Sequence, residues 1–77
     1  MRYQRTETKP INDAVKILEA HIVPIYGEPG GTYFVVTLTT IYYGWMGREY
    51  ESKSKVFSED EYDAAEYYCD NFFEEEL

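Results

Sequence analysis

Thr32 to Tyr43 is a run of twelve residues, TYFVVTLTTIYY, in which every side chain is β-branched, aromatic or leucine. Such side chains lose rotamer freedom on a helix and pack well on a pleated surface, so the run predicts a strand. Period two divides it into Phe34, Val36, Leu38, Thr40, Tyr42 and Tyr33, Val35, Thr37, Thr39, Ile41, Tyr43. Both sets are fairly apolar, as expected of a central strand. Gly44-Trp45-Met46-Gly47 then reads as a hairpin connection, with glycines placed for tight turning. From Arg48 to Phe57, Tyr50, Ser52, Ser54 and Val56 alternate with Glu49, Glu51, Lys53 and Lys55, which predicts an antiparallel return strand with one solvated side.

The flanking segments read as helical. Met1 to Lys9 is polar and weakly patterned, suiting a short edge strand or a loose arm. Pro10 suits a first helical turn, and Ile11, Ala14, Val15, Leu18 and Ile22 recur at three- and four-residue steps, predicting a helix that Pro24 ends. Ile22 to Tyr26 is then a short strand, and residues 27–31 (GEPGG) a turn. At the other end, Ser58 with Glu61 three residues on forms a capping box. The stripe Tyr62, Ala65, Tyr68, Cys69, Phe72, Phe73 predicts a closing helix. The expected fold is α+β: a two- or three-stranded antiparallel sheet packed by an N-terminal and a C-terminal helix, in the order α-β-β-(β)-α. With 77 residues it forms one domain, residues 1–77, because so small a core does not divide.

Composition narrows the function classes. A chain that is 44% hydrophobic and 18% aromatic carries too many core-forming residues for a disordered acidic tail. A net charge of −8 repels nucleic-acid phosphates and anionic membrane surfaces, arguing against direct binding to either. No apolar run approaches the ~20 residues of a membrane span, and no basic-then-apolar leader opens the sequence. One cysteine, Cys69, offers no disulfide framework and fits a reducing cytoplasm. The charge is also segregated. Residues 1–57 hold all seven bases and six acids, netting +1, whereas residues 58–77 hold nine acids and no base, netting −9.

On a helix, Glu59, Asp63, Glu66, Asp70 and Glu74 fall along one face, each neighbouring pair about 5–6 Å apart along the axis. Each like-charge i, i+4 pair costs roughly 0.2–0.5 kcal/mol, and no lysine relieves the row locally. One reading is that the row imitates nucleic-acid phosphates and binds a basic groove in another protein. The plainer reading is a solvated face that keeps a tyrosine-rich protein soluble. Carboxylates at i, i+4 can hold a hard cation, but the loop and glycine of an EF-hand are absent, so neither a metal nor a cofactor is assigned. Tyr43, Trp45 and Met46 at the hairpin form a second candidate contact, or fold back to complete a small core.

The remaining reactive residues carry little. His21 sits where the first helix is expected to end and has no assignable nucleophile beside it. Cys69 lies on the apolar stripe as a small buried hydrophobe. No catalytic residue is assigned, and the chain is not read as an enzyme.

The segment Ser58 to Leu77, SEDEYDAAEYYCDNFFEEEL, together with small size and strong acidity, resembles phage-encoded inhibitors of host defence. That group includes anti-CRISPR proteins and DNA-mimic inhibitors of restriction enzymes and DNA glycosylases. The resemblance implies a stoichiometric binder that blocks the DNA or guide channel of a CRISPR-Cas subunit, in the cytoplasm of the host cell. The alternative is a small homodimeric structural or assembly protein that pairs through its aromatic hairpin and sheet edge, the acidic face serving solubility.

Overall fold

The computed structural model describes residues 3–27, 31–45 and 47–76. Four strands follow one another: β1 (Tyr3–Ile11), β2 (Ala14–Gly27), β3 (Gly31–Gly44) and β4 (Gly47–Ser58). A 3₁₀ turn (Glu59–Glu61) leads into a single helix, α1 (Tyr62–Glu76). The sheet is an antiparallel meander in the order β1-β2-β3-β4. The α+β class stands, but the expected N-terminal helix and two- or three-stranded sheet do not: among the described residues the sheet has four strands and the only α-helix is C-terminal.

The segment expected to be helical is the β1–β2 hairpin. Ile11 pairs with Ala14, and Asn12 takes the left-handed conformation at φ 51° that a two-residue loop requires. Past that loop Lys16, Leu18, Ala20 and Ile22 are buried, while Val15, Ile17, Glu19, His21 and Val23 alternate with them. Ile11, Ala14, Val15, Leu18 and Ile22 satisfy three- and four-residue steps by coincidence. Burying a β-branched strand in a sheet outweighs that weak helical signal. Pro10 sits on the edge strand, where a missing N–H is tolerated. Pro24 pairs with Phe34 beyond the last β1 partner, Tyr3↔Ile22.

Helix α1 lies on one face of the sheet. Beneath it are Leu18, Ala20 and Ile22 from β2, Val36 and Leu38 from β3, and Phe57 from β4, meeting Ala65, Cys69, Phe72 and Phe73. Phe34 stacks edge-on against Tyr62 at 4.9 Å, and Phe57 meets Tyr68 at 5.7 Å. The charged side of β4 points to this same face. Its partners Leu38↔Lys53 and Val36↔Lys55 set Lys53 and Lys55 beside the helix, with Lys55 5.1 Å from the Tyr68 ring. Tyr50, Ser52, Ser54 and Val56 therefore line the opposite face, which no element covers. Among the described residues no helix is long and apolar enough to cross a membrane.

Candidate functional site

The acidic helix begins as its sequence requires. The Ser58 N–H donates to Glu61 Oε1 at 3.0 Å, the side-chain half of a capping box. The Ser58 hydroxyl lies 2.6 Å from Asp60 Oδ1 and 2.8 Å from Glu61 Oε1 and donates its one proton to either. The hydroxyl holds the Asp60 carboxyl below the usual range, and the Ser58 N–H together with that hydroxyl does the same for Glu61. The positive end of the helix dipole favours all three acids of this turn, while the charge of Asp60 opposes that of Glu61.

Of the predicted row, Asp63, Glu66, Asp70 and Glu74 lie on α1 and Glu59 in the 3₁₀ turn before it. Glu59, Asp63, Asp70 and Glu74 are exposed and Glu66 is half-buried. Sequence gave no local relief for their repulsion, and the fold supplies it from a distance. Asp70 Oδ1 accepts from the Tyr3 hydroxyl at 2.9 Å and from Arg5 Nη1 at 3.4 Å. Arg5 also pairs with Glu7 at 3.1 Å and lies 4.2 Å over the Phe73 ring. Burial, reinforced by the Asp70 contact, pushes the Tyr3 hydroxyl up to about 12. At the C-terminal end, the nearly buried Lys16 sets Nζ 3.2 Å from Glu76 Oε1 and 3.2 Å from the Glu76 carbonyl oxygen. Burial alone would lower the Lys16 ammonium, but Glu76 overrides it and the net direction is up. The cation missing from the last turn of α1 thus arrives from β2, sixty residues away.

Glu59, Asp63 and Glu74 form no ion pair with another described residue. Beside two members of the row, Phe34, Tyr62, Asp63 and Glu66 line a shallow cleft of about 510 Å³, aromatic on one wall and acidic on the other. That combination suits the stem and head of a lysine or arginine side chain. Two further acids escaped the sequence reading. Glu49 and Glu51 of β4 join Glu76, Thr40 and Tyr42 around a cleft of about 390 Å³ at the end of the helix. The strand alternation could have revealed them, had the charged side of β4 been assigned to the helix face.

At the hairpin tip Gly44 pairs with Gly47, whose φ of +123° is open to glycine and strained for other residues. Trp45 is 86% exposed and does not complete the core; Tyr43 is also exposed, with Arg48 6.0 Å from its ring. Met46 lies outside the described residues. The tip and the acidic row are separate surfaces, since Tyr43 projects from the face opposite α1.

His21 is not at a helix end but mid-strand in β2, with Nε2 3.8 Å from Glu19 Oε2. Cys69 is buried, and desolvation followed by the charges of Asp70 and Glu66 raises its thiol to about 11, which keeps it protonated. Among the described residues no three His, Cys, Asp or Glu side chains converge as metal ligands. No protein-family model, curated protein or solved structure matches the chain.

Proposed function

We propose that the protein is a stoichiometric binding inhibitor, anti-CRISPR-like in character. Its acidic helix occupies a basic DNA- or RNA-binding groove of a Cas effector or another host nucleic-acid enzyme. The observation that carries this reading is the linear charge of α1 and its capping turn. Nine carboxylates from Glu59 to Glu76 span about 26 Å of axis, one per roughly 3 Å. A single nucleic-acid strand carries one phosphate per about 3.4 Å. Even after Arg5 and Lys16 offset Asp70 and Glu76, seven remain that form no ion pair with another described residue. The inhibitor works in the host cytoplasm, steered to its target by charge and competing with nucleic acid for the same lysines and arginines. The cleft of Phe34, Tyr62, Asp63 and Glu66 receives one of those side chains.

The test uses the unpaired members of the row. Asp70 is unsuitable for reversal because it also holds Tyr3 and Arg5. The wild-type protein, immobilised and exposed to bacterial lysate, is expected to retain a nucleic-acid enzyme that elutes with salt and is displaced by duplex DNA. The triple variant Glu59→Lys, Asp63→Lys, Glu74→Lys is expected to lose that protein while its circular dichroism is unchanged. Equal retention by the variant, or no competition from DNA, overturns the reading. A competing assembly-protein reading draws support from the 86% exposed Trp45. It expects Trp45→Ala, and not the triple reversal, to abolish capture.

A further inference from the structure

The face of the sheet opposite α1 is built of six cross-strand rungs. In order these are Pro10, Val15, Tyr43, Arg48; Thr8, Ile17, Ile41, Tyr50; Thr6, Glu19, Thr39, Ser52; Gln4, His21, Thr37, Ser54; Val23, Val35, Val56; and Ile25, Tyr33, Ser58. Apolar rungs stand at both ends and two polar rungs in the middle. The face includes seven of the large hydrophobic side chains that the fold leaves exposed, Val56 and Tyr50 most of all, at 60% and 66%. Two exposed apolar bands flanking a polar centre on one uncovered face mark an interaction surface.

We propose that a second copy of the chain covers this face, the two sheets packing face to face about a two-fold axis at right angles to the strands. The pattern matches itself under that rotation. With the axis between the two polar rungs, Val23, Val35 and Val56 meet the partner's Ile17, Ile41 and Tyr50 strand by strand. Ser54 meets the partner's Ser52, and Thr37 lies over the partner's Thr39, which its own sheet already buries to 6% exposure. Glu19 meets the partner's His21, twice in one interface, so the only acid of the face lands on an imidazole. Charge points the same way. A chain of net charge −8 repels its own copies over most of its surface, but among the described residues this face carries one acid, Glu19, against one base, Arg48. Self-association is therefore least opposed here.

The area suffices. Twenty-two rung positions, each about 4.8 Å by 6.7 Å, cover roughly 710 Å². Two such faces bury about 1,400 Å², within the range of about 1,200–2,000 Å² that stable dimers use. Edge pairing is a poorer arrangement. The exposed edge strand β4 carries Glu49, Glu51, Lys53 and Lys55, the kind of charged side chains that blunt an edge.

Light scattering coupled to gel filtration tests the proposal without reference to the acidic helix. The wild-type protein is expected at twice its 9.1 kDa chain mass at tens of micromolar, and Tyr50→Lys with Val56→Lys at the single-chain mass. Both positions are more than half exposed in the single chain, so circular dichroism is expected to be unchanged. Lys53→Glu with Lys55→Glu, on the other face of the same strand, is expected to remain dimeric. His21→Glu is expected to weaken the dimer at least tenfold, and the swap Glu19→His with His21→Glu to restore it. A monomeric wild type up to millimolar concentration, a dimer that survives the two lysines, or a swap that fails to restore association overturns the proposal.

Discussion

Replacing Phe73 with alanine tests whether α1 is seated on the sheet as described. Phe73 is 1% exposed, meets Phe72 edge-on at 5.4 Å, and lies under the Arg5 guanidinium at 4.2 Å. Truncating a buried phenylalanine costs about 3–5 kcal/mol in lost transfer energy and residual cavity. The cation–π contact adds about 0.5–1 kcal/mol, at the lower end because the Arg5 side chain is 38% exposed. A domain of 77 residues has a total stability of roughly 4–11 kcal/mol, so the loss takes a large share of it. With a urea slope of about 1 kcal/mol/M, the unfolding midpoint is expected to fall by ~3–5 M, or the variant to be unfolded already. Phe73→Leu, which keeps most of the volume, is expected to cost less than about 2 kcal/mol, including the lost ring. Far-UV circular dichroism against urea reads both. Equal midpoints for Phe73→Ala and wild type, or for the two variants, would refute the packing described here.

Base titration is a second test. The folded pKa values of Cys69, about 11, and Tyr3, about 12, lie above their ordinary 9.0 and 10.0, so both groups lend stability that is complete below about pH 9. Melting temperature is expected to stay level from pH 7 to 9 and fall as pH rises towards 12; Cys69→Ala should delay the start of the fall. Asn12→Ala, which forces alanine to φ 51°, is expected to cost about 1–2 kcal/mol, whereas Asn12→Gly should lie within about 0.5 kcal/mol of wild type. Lys16→Met removes the cation at the C-terminus of α1, and about 1–2 kcal/mol of stability is expected to go with it. A denaturation midpoint unchanged in Lys16→Met would show that the Glu76 contacts contribute nothing.

The second half of the chain was legible because its signals are local. Ser58 and Glu61 are three residues apart, the stripe through Ala65, Cys69 and Phe72 follows one period, and Gly44 with Gly47 brackets the hairpin. The β1–β2 hairpin was not, because Ile11, Ala14, Val15, Leu18 and Ile22 fit a helical period as well as a strand. The strand's buried alternation also ran through Lys16 and Ala20, two residues that do not look like core. Lys16 is buried where Glu76 and Tyr42 meet it, and no reading of neighbours in sequence shows that. Four members of the acidic row lie on α1 and Glu59 in the 3₁₀ turn before it, and the relief of their repulsion is invisible in the local sequence. Arg5 and Asp70 are 65 residues apart, and their meeting depends on the same strand pairing that the helical period concealed.

Helix α1 and the strands differ in length. Fifteen helical residues reach about 22 Å, whereas β2 and β3, of fourteen residues each, reach about 46 Å. The long dimension of the protein is 50 Å, so the sheet extends beyond the helix. Backbone amides are expected to exchange with deuterium in a gradient that follows this overhang. Ala20 and Leu38, paired under the centre of α1, should exchange slowest, at rates set by global unfolding. Tyr26 at one end, and Gly44 with Gly47 at the other, should exchange through local fraying that leaves the middle intact. The ends of this protein can then rearrange around a bound surface while its centre stays folded.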